Sequence, residues 1–376
     1  MAGIYLHIPF CKQACHYCNF HFSTSLRLKE DLLQALLREM ELQADYLNGA
    51  PLDSIYLGGG TPSLLSAGEL NRLFERLYRL HTVRPEAEIT LEANPDDLSA
   101  GYLHALRDTP INRLSIGIQS FAQEDLRFMN RAHTAREARQ CLEQALQAGF
   151  ERLTVDLIYG SPTTTDEMWR ENIDTVLSYG IPHISCYALT VEPRTALAHF
   201  VETGKSPPVE EEKAAAQFEY LMDRLEAAGY LHYEISNFAR PGREAVHNSS
   251  YWAGEPYLGL GPAAHSFDGR LTRQWNVAHN PKYIAAIGAG QIPCEKEVLS
   301  PAERFNEYVM TGLRTSRGCD LSRLQGLDDS YPAIFRKGIQ KFIQEGLARE
   351  EAGRFVLNKN GRLLADRIAS DLFITE

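Results

Sequence analysis

The sequence predicts an α/β protein: an open, partial (β/α)6 barrel followed by a smaller, mainly helical, winged-helix-like C-terminal domain. Two observations carry this. Short strands with near-continuous apolar runs alternate with amphipathic helices six times in about 190 residues, which implies a parallel sheet too small to close as an eight-stranded barrel. From Ser300 the pattern changes to three helices and a hairpin around Gly353.

Gly3-Ile-Tyr-Leu-His-Ile8 reads as a buried strand closed by Pro9. A cysteine-bearing loop follows. Apolar residues at helical spacing over 28–47 predict a helix stopped by Gly49. The second strand, 54–57, runs into Gly58-Gly59-Gly60-Thr61-Pro62. Ser66-Ala-Gly-Glu69 is a capping box, in which the two polar side chains satisfy each other's free N–H groups, and it opens a helix to about Leu80. Residues 88–93 form the third strand, 99–107 a short helix, and 113–118 the fourth strand, ending at Gln119. Thr134-Ala-Arg-Glu137 caps a helix that stops at Gly149. The fifth strand is 153–158, a helix covers 166–179, and the sixth strand is 183–188. Beyond these lie a connection over 193–208, a long helix over 210–228 and a strand over 230–235. A polar loop, 240–250, precedes an aromatic- and glycine-rich stretch through Phe267. The expected division is a barrel over 1–235, a connecting segment over 236–299 and a helical domain over 300–376.

A net charge of −11 over 376 residues disfavours a general nucleic-acid binder and suits small-molecule chemistry. Residues 301–376 carry 12 Lys and Arg against 11 Asp and Glu, so the winged-helix-like end lacks the basic face of a DNA reader. Of seven cysteines, Cys141, Cys186, Cys294 and Cys319 are scattered, which is no disulfide framework and points to a reducing cytosol. The N-terminus has no basic region leading into a long apolar run, so no signal peptide is expected. No stretch of about 18 apolar residues offers a membrane span. A cytoplasmic location follows from these features.

Cys11, Cys15 and Cys18 fall within eight residues. Short loops with several thiolates hold iron or zinc. Three obvious ligands suit a [4Fe–4S] cube with one iron open to a small molecule; zinc completed by His16 or His21 is the alternative. In parallel barrels chemistry sits at the C-terminal strand ends. Here those ends supply the cysteines, Gly58-Gly59-Gly60-Thr61, Glu92, Gln119 with Arg131 beyond it, Asp156, and Tyr187 with Thr190. Three glycines let backbone N–H groups approach a carboxylate. Glu92 suits an ammonium or a ribose, Asp156 ribose hydroxyls or a cationic centre, and Arg131 a second carboxylate. Tyr17 offers a face for a purine. Together these describe S-adenosylmethionine lying beside an iron–sulfur cluster.

The spacing of the cysteines, the aromatic before the third and the glycine-rich end of the second strand resemble the radical S-adenosylmethionine superfamily. Within it, His7-Ile-Pro-Phe-Cys11, Gly58-Gly-Gly-Thr-Pro62, Gln119-Ser-Phe121 and Asp156-Leu-Ile-Tyr-Gly160 are similar to the anaerobic coproporphyrinogen III oxidase family, from about Gly3 into the C-terminal domain. The resemblance implies that Cys11, Cys15 and Cys18 ligate a [4Fe–4S] cluster, with S-adenosylmethionine chelating the fourth iron. It implies reductive cleavage to a 5′-deoxyadenosyl radical, fed by a reductant such as flavodoxin or ferredoxin. Tyr5, Gly59, Gly60, Thr61, Glu92, Gln119, Arg131 and Asp156 match positions that contact S-adenosylmethionine in that family, and Tyr17 matches an aromatic.

Two departures argue against porphyrinogen decarboxylation. The oxidase has a long segment before its first strand, which here starts at Gly3, and a further cysteine where this chain has Phe20. His247-Asn248-Ser-Ser-Tyr251-Trp252 instead matches a motif of the haem chaperones of the family, which implies haem and haem-acceptor proteins as partners. His247 is the expected axial haem ligand, because it precedes the flat apolar surface of Tyr251-Trp252; His265 is its rival. The oxygen-independent oxidase, and a radical enzyme acting on another substrate, are the alternative functions.

Overall fold

The computed structural model, which describes residues 1–375, contains the expected open barrel. Six strands run parallel in chain order: β1 (Gly3–Ile8), β2 (Leu52–Gly59), β3 (Val83–Ala93), β4 (Arg113–Gln119), β5 (Leu153–Tyr159) and β6 (His183–Ala188). Their two faces differ, contrary to the expectation of continuous apolar runs. Ile4, Leu6, Ile55, Leu57, Leu91, Leu114, Ile116, Val155 and Leu157 are buried in the main core. The positions between them, among them Tyr5, Tyr56, Glu92, Ser115, Asp156 and Ser185, are polar. They meet one another across a lumen: Tyr56 bonds Glu92, and Ser115 bonds Asp156. A period of two is what a strand with one dry and one wet face requires.

The helices form for the expected reasons. Capping boxes at Ser66 and Thr134 start Ala67–Leu80 and Ala135–Gln147. Asp166–Ser178 and Glu211–Ala227 match their apolar periodicity. The helix expected over 28–47 covers only Lys29–Leu42. Gln43 is drawn inward, donating to Glu39 and accepting from Gln274, and the chain turns away through Asn48 and Gly49 at φ 53° and 72°. Three short helices were not legible: Gln123–Phe128, Ala196–Glu202 in the expected connection, and Val246–Trp252 in the expected polar loop. At six or seven residues they are too short to display a period.

The stretch 236–299, expected as a connecting segment, supplies five strands of the barrel's own sheet. β7 (Leu231–Glu234) and β8 (Asn237–Ala239) extend it beyond β6. On the other edge β9 (Tyr257–Leu260) pairs in parallel with β1, followed by antiparallel β10 (His265–Phe267), β11 (Thr272–Asn276) and β12 (Cys294–Val298). The C-terminal helices Pro301–Leu313, Leu321–Gln325 and Tyr331–Gln344 pack with β13 (Cys319–Asp320), β14 (Ala348–Glu351) and β15 (Arg354–Leu357). Phe305, Phe335 and Phe355 form the centre of that separate core, and the β14–β15 hairpin is the expected wing. Among the described residues no helix is long and apolar enough to cross a membrane.

Candidate cluster and cofactor site

The loop after β1 is shaped by clamps rather than by regular structure. Lys12 pairs with Asp96 at 2.8 Å and also with Asp97. Gln13 Nε2 donates to Asn130 Oδ1 at 2.7 Å, and Asn130 Nδ2 donates back to the Ala14 carbonyl at 2.7 Å. The left-handed backbone of Asn130, φ 55°, belongs to the turn that makes this double contact. Cys11, Cys15 and Cys18 are free thiols, each partly exposed. Burial pushes Cys11 up to about 11 and raises Cys18, so binding iron there means displacing protons.

The two imidazoles that a zinc site would need are engaged elsewhere. His16 Nδ1 bonds the Phe128 carbonyl at 2.8 Å, and its ring packs edge-on against Phe200. His21 Nε2 bonds Asn280 Oδ1 at 2.7 Å. Among the described residues no three His, Cys, Asp or Glu donors converge on a single ion.

A chain of hydrogen bonds joins the ends of β2, β3 and β4 to two of the thiols. Thr61 Oγ1 lies 3.5 Å from Cys11 Sγ and accepts from Asn94 Nδ2 at 3.2 Å. Asn94 Oδ1 accepts from Arg131 Nη2 at 2.6 Å, which also donates to the Gly117 carbonyl at 2.9 Å. Arg131 Nη1 lies 3.2 Å from Cys15 Sγ and 3.4 Å from the Tyr17 hydroxyl. A Cβ at Gly117 would fall 2.9 Å from the Gln119 amide nitrogen and 3.2 Å from Arg131, so glycine is what lets both side chains lie down on β4. Gln119 itself is left-handed, φ 66°, a conformation that costs a non-glycine residue on the order of 1 kcal/mol and gathers at functional sites.

The glycine run also has a packing cause. A Cβ at Gly59 would sit 2.5 Å from the His7 ring, and one at Gly60 would sit 2.7 Å from the Ile8 carbonyl. The N–H groups of Gly60 and Thr61 donate to Ile8 and Phe10 carbonyls at 3.0 and 2.7 Å. These glycines let the β1 loop close on β2, and those two N–H groups are spent inside the protein rather than left for a ligand carboxylate.

Deeper in the lumen, burial reinforced by the Asp156 charge pushes the Glu92 carboxyl up to about 7, although the Tyr56 hydroxyl donates to it at 2.7 Å. Burial raises Asp156 to about 6 against the Ser185 and Ser115 hydroxyls and the charges of Arg113 and Arg131. Tyr5 donates to or accepts from His7 Nδ1 at 3.1 Å and stacks on Tyr56. Tyr187 exposes 44 % of its surface, while protein burial and the Asp156 charge raise its phenol. That combination marks a side chain bordering an open, protein-walled space. Tyr56 lay outside the residues drawn from the sequence, although the alternation along β2 points to it.

His247 lies at the opposite, N-terminal end of the barrel. Its Nδ1 bonds Ser54 Oγ at 2.9 Å, its ring stacks on Tyr56 with centroids 5.0 Å apart, and burial lowers its pKa to about 4. Its backbone N–H donates to Glu88, which forms a buried ion pair with Arg113 at 3.3 Å. His265 sits instead on β10, stacked on Trp275.

The mouth therefore collects three free thiols, a buried guanidinium whose Nε has no partner among the described residues, and two protonatable carboxylates. This donor set fits a cluster bearing a zwitterionic nucleoside. A sequence profile of the radical SAM superfamily matches residues 5–176, and one of the HemN C-terminal domain matches residues 299–364. The chain is 35 % identical to the heme chaperone HemW of Mycobacterium tuberculosis, over 98 % of this chain and 94 % of that one. It is 34 % identical to HemW of Bacillus subtilis over 98 % of each chain, and 30 % identical to that of Escherichia coli over 100 % and 98 %. The solved structure of coproporphyrinogen III oxidase (HemN) from Escherichia coli superposes with a TM-score of 0.85 at 23 % identity, covering 99 % of this chain and 90 % of that one, which shows a shared fold.

Proposed function

The chain belongs to the HemW family of radical SAM proteins, and from that premise we propose that it is a haem chaperone, binding haem and passing it to acceptor proteins. The observation that carries this reading is near-full-length identity of 30 to 35 % to relatives named heme chaperones, in a chain with His247-Asn248-x-x-Tyr251-Trp252 and with Phe20 in place of the oxidase's further cysteine. Cys11, Cys15 and Cys18 hold a [4Fe–4S] cluster, with S-adenosylmethionine on its open iron. Bound there, the pair supplies reductive radical chemistry. Thr61 and Arg131 donate to the Cys11 and Cys15 sulfurs and orient them as cluster ligands. Glu92 and Asp156 accept from the ligand's ammonium and ribose, while Tyr17 covers its base. A cytoplasmic reductant such as flavodoxin or ferredoxin feeds the cluster.

His247 is the proposed axial haem ligand. Ser54 fixes its Nδ1, its ring stays neutral, and Nε2 has no partner among the described residues, as a ligating imidazole needs. The gap beside it is only about 10 Å³, so ligation requires the wall formed by Ser250, Tyr251 and Tyr257 to open while His247 keeps its bond to Ser54. Haem-loaded, anaerobically reconstituted protein mixed with an apo-haemoprotein tests the function. Transfer of the Soret signature to the acceptor is expected, with no conversion of coproporphyrinogen III by the same sample. Retention of haem on the donor, or decarboxylation, contradicts the reading. His247→Ala is expected to lose the haem iron's imidazole signature while keeping its iron and sulfide.

A further inference from the structure

Behind the helix that carries His247 lies a second, larger space. A cleft of about 280 Å³ separates the antiparallel end of the barrel sheet from the C-terminal domain. Its apolar floor is Tyr257, Phe267 and Leu299, all buried, and the half-exposed ring of Tyr251 stands at its edge. Arg270, Arg273, Arg304 and Arg323 line it against the single carboxylate of Glu307. That leaves three net positive charges in one cleft of a chain whose net charge is −11.

Two of the four guanidiniums are occupied. Arg273 pairs with Glu307 at 2.8 Å and covers Phe267, and Arg323 lies over Tyr308 and donates to the Ala253 carbonyl at 3.4 Å. The side chains of Arg270 and Arg304 have no hydrogen-bond or ion-pair partner among the described residues. Unpaired guanidiniums beside an aromatic floor recognise a flat body carrying acid groups, because the fork of N–H donors matches a carboxylate while the rings match the body. The small gap at His247 and this cleft share two walls, Tyr251 and Tyr257, whose rings are 5.2 Å apart. The same seven-residue helix thus presents His247 to the barrel floor and Tyr251 to the arginine cleft.

We propose that this cleft binds the two propionate groups of haem, with Arg270 and Arg304 as their counter-ions. The proposal rests on the haem-binding reading and gives it a place. The volume admits the acid-bearing edge of a macrocycle and not the whole ring, so the body of the ring lies against Tyr251 at the edge.

The test is a set of haem titrations of the full chain, followed by absorbance, for wild type, Arg270→Ala with Arg304→Ala, and the corresponding double Lys variant. Thermal melts and iron content check that fold and cluster are unchanged. Neither arginine is tied to the fold, so a folded double variant is expected. Haem dimethyl ester, which lacks the two charges, is the second probe. Haem is expected to bind the double Ala variant at least tenfold more weakly than wild type, with partial recovery in the Lys variant. The ester is expected to bind both proteins alike. Tight haem binding by wild type that the double Ala variant retains overturns the cleft assignment and leaves the chaperone reading standing. No saturable haem binding by wild type overturns both. Displacement by inorganic phosphate, with no preference for haem over its ester, marks a general anion site and also overturns the assignment.

Discussion

Asp156 and Glu92 are carboxylates that their surroundings hold near neutrality, at about 6 and about 7, so each is ready to exchange a proton or accept a cationic partner. Asp156→Ala removes an acceptor without touching a thiol. Charged hydrogen bonds are worth about 1.5–3 kcal/mol, so S-adenosylmethionine affinity is expected to fall roughly 10- to 100-fold, read by equilibrium dialysis, with iron content unchanged. Equal affinity would remove Asp156 from the site. Phe20 exposes 68 % of its surface where the oxidase has its further cysteine. Expression of this chain alone is expected not to rescue an anaerobic oxidase-deficient cell, and rescue would show that the cysteine is dispensable. At this scale the sequence exposed the three cysteines and Glu92, because each follows or closes a strand whose direction is readable, and Asp156, because it is a charge inside an apolar strand. The role of Asn94, which follows Glu92 at the end of the third strand, was not readable because its partners are Arg131, 37 residues further on, and Thr61, 33 residues back.

One buried carboxylate ties an outer helix to the far edge of the barrel sheet. Glu39, on Lys29–Leu42, accepts from Gln43, Asn276, the Gly261 N–H and the Tyr283 hydroxyl, tying that helix to the segment following β9. Burial pushes it up to about 6 despite those donors, from an ordinary 4.5. A raised carboxyl favours the fold when protonated. Its contribution is therefore full below the unfolded value and declines as pH rises through 6, by ~2 kcal/mol. Glu39→Gln has no such titration. Denaturant melts at pH 4.5 and 7 are expected to show the stability gap between wild type and Glu39→Gln moving by about that amount in the variant's favour at the higher pH. Parallel behaviour would mean that Glu39 stays ionised throughout. None of this was readable in advance, because Glu39 looks like any solvent-facing helix residue until the segment beyond β9 folds over it. Capped helices and parallel strands were readable, since their signals are local; the short helix bearing His247 was not, since Glu88 on a distant strand accepts from the N–H of its second residue.

At the scale of the molecule, two spaces stand at opposite ends of one sheet. The cluster loop lies across the C-terminal ends of β1–β6, and His247 lies by their N-terminal ends, beside Gly3 and Ser54. A haem site at the far end from the cluster is chemically separable from it. The most direct measurement is therefore a haem titration of anaerobically reconstituted wild type beside the Cys11→Ala, Cys15→Ala, Cys18→Ala triple variant. The account predicts saturation at one haem per chain in both, with the cluster's broad absorption absent only from the variant. Absence of saturable binding in the wild type, or loss of haem together with the cluster, would contradict it.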